Sequence, residues 1–210
     1  MEPMKIKTIL PYAAASMVIF LIAGIIGFAT GVAYLTAPHT DKVPSVNSAV
    51  QTYKHFKEAQ VDPLAKQGPL VKAAVISMSN IAIGLSVIVY GYIMARFFGI
   101  FFGSLFILSY NGYELGKICF VLSRLTSLKI TILSLLPHAI FEFSAVFLCA
   151  GAGLFMGYEI MMHRCKDPNY YHNNYTHDEM IESLKFYSKF ILPMFILAGF
   201  AEVFISPGFI

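Results

Sequence analysis

Long apolar stretches alternate with shorter polar ones along this chain, and the alternation predicts helices that cross a membrane. Leu10 to Tyr34 carries no charged residue. It is long enough for a hydrocarbon core of about 30 Å, which takes roughly 20 helical residues. A short basic lead with Lys5 and Lys7 precedes it. The run is too long for a signal-peptide core and no small-residue cleavage site ends it, so it is expected to stay as a first span, 10–34. Lys72 to Ala95 predicts a second span, interrupted by Asn80 and closed by Arg96.

Phe97 to Ser123 is apolar at both ends but polar across Asn111-Gly112-Tyr113-Glu114-Leu115-Gly116-Lys117. It predicts either one long span with a polar middle or two half-segments meeting at Asn111-Gly112. A broken helix at membrane depth is tolerated only where protein buries it or a cavity lies beside it. Lys129 to Met162 would measure about 50 Å as a helix at 1.5 Å per residue, too long for one simple crossing. Pro137 supplies the expected break, with a short interfacial or re-entrant helix before it and the true span from His138 to about Met161. A last span is expected over 187–205, kinked near Pro193, whose missing N–H leaves a carbonyl free.

Two polar stretches separate these segments. Residues 35–71 are punctuated by Pro38, Pro44, Pro63 and Pro69. Between the prolines, Val46, Val50, Tyr53, Phe56 and Val61 recur at roughly helical spacing among charged residues. This predicts an amphipathic helix over Val46–Leu64 on the membrane surface, or a solvated loop helix, and 46–64 is the expected docking segment for protein partners. Residues 163–186 hold His163, Cys165, His172, His177, Asp178 and Glu179, in spacings that match no zinc pattern. Thr176 and Glu179 fit a capping box for a helix starting near His177.

The expected fold class is therefore all-α: one polytopic transmembrane helical bundle of five or six hydrophobic segments, some broken or re-entrant. The lipid bilayer is its first partner and the cell membrane, crossed several times, its location. Composition agrees, because only 13% of residues are charged against about 25% in an average soluble domain. The net charge of +3 is small and spread over loops, so no nucleic-acid partner is implied. Lysines and arginines divide evenly between the two sides of such a bundle, and orientation is left open.

Four Gly-xxx-Gly pairs lie in apolar segments: Gly27/Gly31, Gly99/Gly103, Gly112/Gly116 and Gly153/Gly157. Small residues on one face let helix backbones approach closely in lipid. The pairs predict tight packing within the bundle, or a homodimer formed through one such face.

Polar residues inside the apolar segments are the candidate chemistry, since an ionisable group at membrane depth is costly enough to mark a functional site. His138 and Glu142 are four residues apart and would share a helix face. With Glu202, Asn80 and Asn111 they form the candidate buried polar site. Three roles are open: mutual satisfaction that specifies the bundle; a divalent metal such as zinc on His138, Glu142 and Glu202; or a proton or ion path. Glu114 and Lys117 are spaced to pair with each other, and Glu159 is expected to reach the headgroups. The chain has no nucleotide-binding glycine loop and no Gly-x-Ser-x-Gly elbow.

Pro137-His138-Ala139-Ile140-Phe141-Glu142, with Ala145 following and Gly151-Ala152-Gly153 in the same helix, form a distinctive segment. With Asn80, Asn111-Gly112, Gly116 and Ala201-Glu202-Val203-Phe204-Ile205-Ser206-Pro207, it resembles the stage II sporulation protein M family of bacterial and archaeal membrane proteins over most of the chain. The resemblance implies a membrane scaffold, such as the founding member provides for peptidoglycan-degrading partners during engulfment. Many members occur in organisms without spores, so that role does not transfer whole. The leading expectation is a non-enzymatic scaffold or assembly factor. The alternative is an intramembrane metal-dependent enzyme, or a small-solute or ion transporter, built on His138, Glu142 and Glu202.

Overall fold

The first apolar run folds as α1, Ile6–Thr36. Pro11 falls in its second turn, past the donors without an internal partner, since the Ile9 N–H already reaches the Lys5 carbonyl; it leaves the Lys7 carbonyl without its usual intrahelical donor. Leu10, Val18, Leu21, Ile22 and Ile25 stand exposed along one side, the pattern expected of a helix that faces lipid there. The molecule is seen here as a computed structural model that describes residues 5–36, 67–125, 127–166 and 175–205. Every regular element among them is helical. The segment Val46–Leu64 lies outside the described residues, as does the chain beyond Ile205.

Helix α2, Pro69–Phe98, starts with Pro69 in its first turn and stops at Gly99. Gly99 adopts φ 68°, a left-handed conformation that glycine takes without steric cost. The N–H groups of Gly99 and Ile100 both turn back to the Met94 carbonyl. The chain then reverses through Phe101 and Phe102 into α3, Gly103–Leu125, which runs unbroken. The break expected at Asn111-Gly112 is not there. Gly112 serves packing instead: a Cβ on it would come within 2.6 Å of the Phe20 carbonyl oxygen.

Helix α4, Leu128–Lys166, is continuous as well, with Pro137 inside it. Proline removes a single backbone hydrogen bond and its φ already suits a helix. The apolar residues on both sides keep the helix going, so no re-entrant element forms at Pro137. Helix α5, Tyr175–Phe186, passes into a π-turn over Tyr187–Ile191 and then α6, Leu192–Phe204. The helix starts at Tyr175, and the side chains of the expected capping box, Thr176 and Glu179, lie outside the described residues. In the π-turn the Leu192 N–H reaches the Tyr187 carbonyl five residues back. The disturbance expected at Pro193 is thus absorbed by a widened turn just before it.

Side-chain contacts give the helix directions. Phe20 packs on Phe143 and Phe147 while Tyr12 packs on Phe155 and Tyr158, so α1 and α4 are antiparallel. Gly112 lies on Phe20 and Gly116 on Gly24, so α1 and α3 are parallel. Gly84 lies by Cys149, Gly91 by Gly153 and Gly99 by Met161 and Arg164, so α2 and α4 are parallel. Helix α6 runs against α2, with Gly199 on Ala73 and Ser77 and the Tyr187 hydroxyl donating to the Ile81 carbonyl at 2.6 Å. From α1 to α4 each helix therefore reverses the one before it, and α6, continuous with α5, reverses α4. The core, including Val87, Ile88, Cys149, Met156, Ile191 and Phe195, lies where α2, α4 and α6 meet.

Four helices are long and apolar enough to cross a membrane: Ile6–Ala33, Pro69–Phe98, Leu135–Lys166 and Met180–Phe204. The protein is built as a membrane bundle. The glycine pairs divide by role. Gly27, Gly31, Gly112 and Gly116 face α1 or α3 across their shared contact, and Gly157 takes the Phe101 backbone. Gly99 ends a helix, so Gly99/Gly103 is not a packing pair at all. The faces expected to form a homodimer are thus occupied within the chain.

Candidate functional site

The polar residues of the apolar segments gather toward one end of the bundle. Helix α4 presents His138 and Glu142 one turn apart, both half-buried. Helix α6 brings Glu202, also half-buried, within electrostatic reach of Glu142. The antiparallel run of α4 and α6 makes this meeting possible. Asn80 lies one turn before Gly84 on α2, and Gly84 faces Cys149, so Asn80 comes level with the turn of α4 that follows Glu142. The same reckoning from Ser104 against Gly153 brings Asn111 of α3 to that level, about one helical turn in height from Glu142.

The Asn80 amide nitrogen is buried with no hydrogen-bond partner. A buried amide left so costs roughly 1–3 kcal/mol. A second unpartnered group lies deeper: the Ser104 hydroxyl, on a fully buried residue. It fills the gap between Gly91 and Gly153, where a Cβ on either glycine would collide with Ser104 Oγ. Three helices meet at that hydroxyl.

Glu202 lies within electrostatic reach of Glu142, and Asn80 and Asn111 stand at a similar height on their own helices, but the described residues build no metal centre. Among the described residues no three His, Cys, Asp or Glu side chains converge. His138, Glu142 and Glu202 therefore do not form the ligand set expected for zinc or a similar ion. His163 approaches Glu159 at 3.7 Å at the far end of α4. The side chains of His172, His177 and Glu179 lie outside the described residues. Glu114 and Lys117 form the expected i, i+3 ion pair at 2.7 Å.

The model of one protein family, Stage II sporulation protein M, matches residues 13–207, which takes in α1 from Ala13 on, α2 to α6 whole and every residue of the polar cluster. The chain belongs to the stage II sporulation protein M family. No curated protein and no solved structure matches it. For this member of the family, sequence reasoning singled out the polar cluster but missed three of its supports. Ser104 reads as an ordinary serine in an apolar run, and its role needs the registration of three helices. Tyr187 sits at the start of a span like any interfacial tyrosine, yet it is buried and bound to the α2 backbone. Ser77 reaches the Ile196 carbonyl at 3.4 Å; its only signal was a small polar residue one turn from Ala73.

Proposed function

We propose that this protein is a multi-pass scaffold or assembly factor of the cell membrane, a rigid platform that holds partners through its polar stretches. The observation that carries this reading is how its helices meet. Gly116 lies against the Gly24 backbone, Gly151 against Ala13, Gly153 against Ser104, and Gly199 against Ala73 and Ser77. These are backbone approaches made by small residues, the closest that membrane helices achieve. A bundle closed this way along α1–α3, α1–α4, α3–α4 and α2–α6 has little room for the rocking that alternating access needs.

The same contacts support five crossings rather than four. Helices α2 and α4 are parallel, so each leaves the same side of the membrane and arrives at the other. The chain between them must return, and α3 is the segment that connects them. At 23 residues it measures about 34 Å, which is enough. The start of α1 and the end of α6 then lie on opposite sides, and α2 starts on the side where α6 finishes. A scaffold docking through 46–64 loses its partners when Val50, Tyr53 and Phe56 are changed to aspartate, and keeps them in His138→Ala. Cross-linking followed by pull-down from intact membranes reads this directly; equal capture by both variants would sink the reading.

One observation favours a second role for the polar cluster. Two carboxyl groups from α4 and α6 within electrostatic reach, near a buried unpartnered amide, form the kind of grouping through which protons or cations pass. In that case Glu142→Gln abolishes ion movement into sealed vesicles while the protein stays folded. Unfolding of Glu142→Gln would instead make the cluster a structural network.

A further inference from the structure

The outward side of α3 carries the next clue. Its buried side is made for packing, with Ser104, Leu108, Gly112, Gly116 and Phe120 turned into the bundle. The other side, at spacings of three and four residues, presents Phe106, Tyr110, Glu114, Lys117, Val121 and Arg124. Tyr110 is 64% exposed, and the side chains of Lys117 and Glu114 are 38% and 35% exposed. Glu114 is the middle residue of α3. If α3 crosses, as the parallel run of α2 and α4 supports, the Glu114–Lys117 pair lies inside the hydrocarbon layer.

A membrane helix ordinarily turns apolar residues to lipid and polar ones inward, because lipid offers a charge neither hydration nor hydrogen bonds. Here the order is reversed. Helix α1, by contrast, turns Ile22, Ile25 and Ile26 outward, so the chain does supply lipid-facing surfaces elsewhere. The polar face of α3 calls for cover by another polar surface.

We propose that the cover is a second copy of this chain, docked through the same face of α3 about a two-fold axis along the membrane normal. Charge complementarity selects this occupant. At its middle the face carries one acid and one base, three residues apart, and so is complementary to itself there; Arg124 stands at the end of α3, over the Phe120 ring. About such an axis the two α3 helices run parallel, and the Glu114 of each copy meets the Lys117 of the other. An isologous contact of this kind uses one patch twice and closes at the dimer. Exchange of the intrachain pair at 2.7 Å for two pairs across the interface leaves no charge facing lipid. Tyr110, one turn before Glu114, then stands close to the axis. The glycine faces take no part, since they are already filled within each copy. This inference rests on α3 crossing the membrane.

The test is disulfide cross-linking in the membranes of the expressing cell, using a full-length chain whose three native cysteines are replaced by serine. Tyr110→Cys should form a covalent dimer on mild oxidation, while Ile25→Cys, on the lipid side of α1, should not. Added to Tyr110→Cys, either Glu114→Lys or Lys117→Glu alone should lose the cross-link, because each sets two like charges at positions 114 and 117 against the same two in the other copy. Co-expression of the two should recover it as a heterodimer, which also shows that both variants fold. Absence of the Tyr110→Cys dimer overturns the proposal. So does a dimer indifferent to both charge variants, or a cross-link from Tyr110→Cys to a cysteine placed in residues 37–66 of its own chain. Impermeant thiol labelling of Ile100→Cys and Ser127→Cys separates the two ideas. Labels on opposite sides with no dimer refute the interface alone, and labels on one side refute the crossing.

Discussion

A glycine in a membrane helix matters for what its missing Cβ lets approach. At Gly116 a methyl group would run into the Gly24 carbonyl and come within 2.8 Å of the Phe28 nitrogen. Both obstacles are backbone, and neither can swing aside. Gly116→Ala should therefore destabilise the protein by about 1–3 kcal/mol, the usual range for overpacking. Gly68→Ala, with nothing within 4 Å of the added methyl, should change stability by less than about 0.5 kcal/mol. Unfolding in a mild detergent with increasing denaturant compares the two; equal effects would refute the assigned packing. Tyr187→Phe removes only the hydroxyl that donates to the Ile81 carbonyl. Its expected cost in the same assay is about 0.6 kcal/mol, with a ceiling near 1.7, as for other interhelical hydrogen bonds in membranes. The glycines were legible in the sequence because their spacing is helical. Which backbone each one meets was not, since that depends on the registration of helices far apart in the chain.

Elements were legible where the pattern was strong and misread where punctuation was taken literally. The runs that became α1 and α2 were read to within a few residues, because uncharged stretches of that length have one common solution in lipid. Asn111-Gly112 and Pro137 read as breaks, and both lie inside continuous helices. The reversal sits at Gly99 to Phe102, a few residues beyond Arg96, where the second span was expected to close. What marks it is a left-handed glycine, a property of conformation rather than polarity. Pro137→Ala tests the continuous reading of α4. It restores one N–H to a helix already formed, so helical content should stay the same and stability should rise by anything up to about 3 kcal/mol. Loss of helical signal by circular dichroism, or loss of folding, would mean that proline is needed as a break. The polar cluster was half legible for the same reason as the glycines. His138 with Glu142 follows from spacing within one helix, whereas Glu142 with Glu202 needs α4 and α6 to lie antiparallel.

At the scale of the whole molecule, the account joins two facts that pull against each other. Helix α3 is more polar than its neighbours and is not among the four helices apolar enough to cross by composition, yet α2 and α4 on either side of it in the chain run in the same direction. The five crossings proposed above rest on this, each antiparallel to the one before. In that arrangement the end of α6 lies on one side, and the turn at Gly99 on the other. The scaffold proposal draws on it. The polar outer face of α3 draws on it too. Side-specific labelling in intact cells is the most direct measurement. A single cysteine in the Gly99 to Phe102 turn and one at Ser127 should react with an impermeant thiol reagent from opposite sides, one of them only after the membrane is opened. If both react from the same side, α3 does not cross, and the five-crossing bundle is wrong.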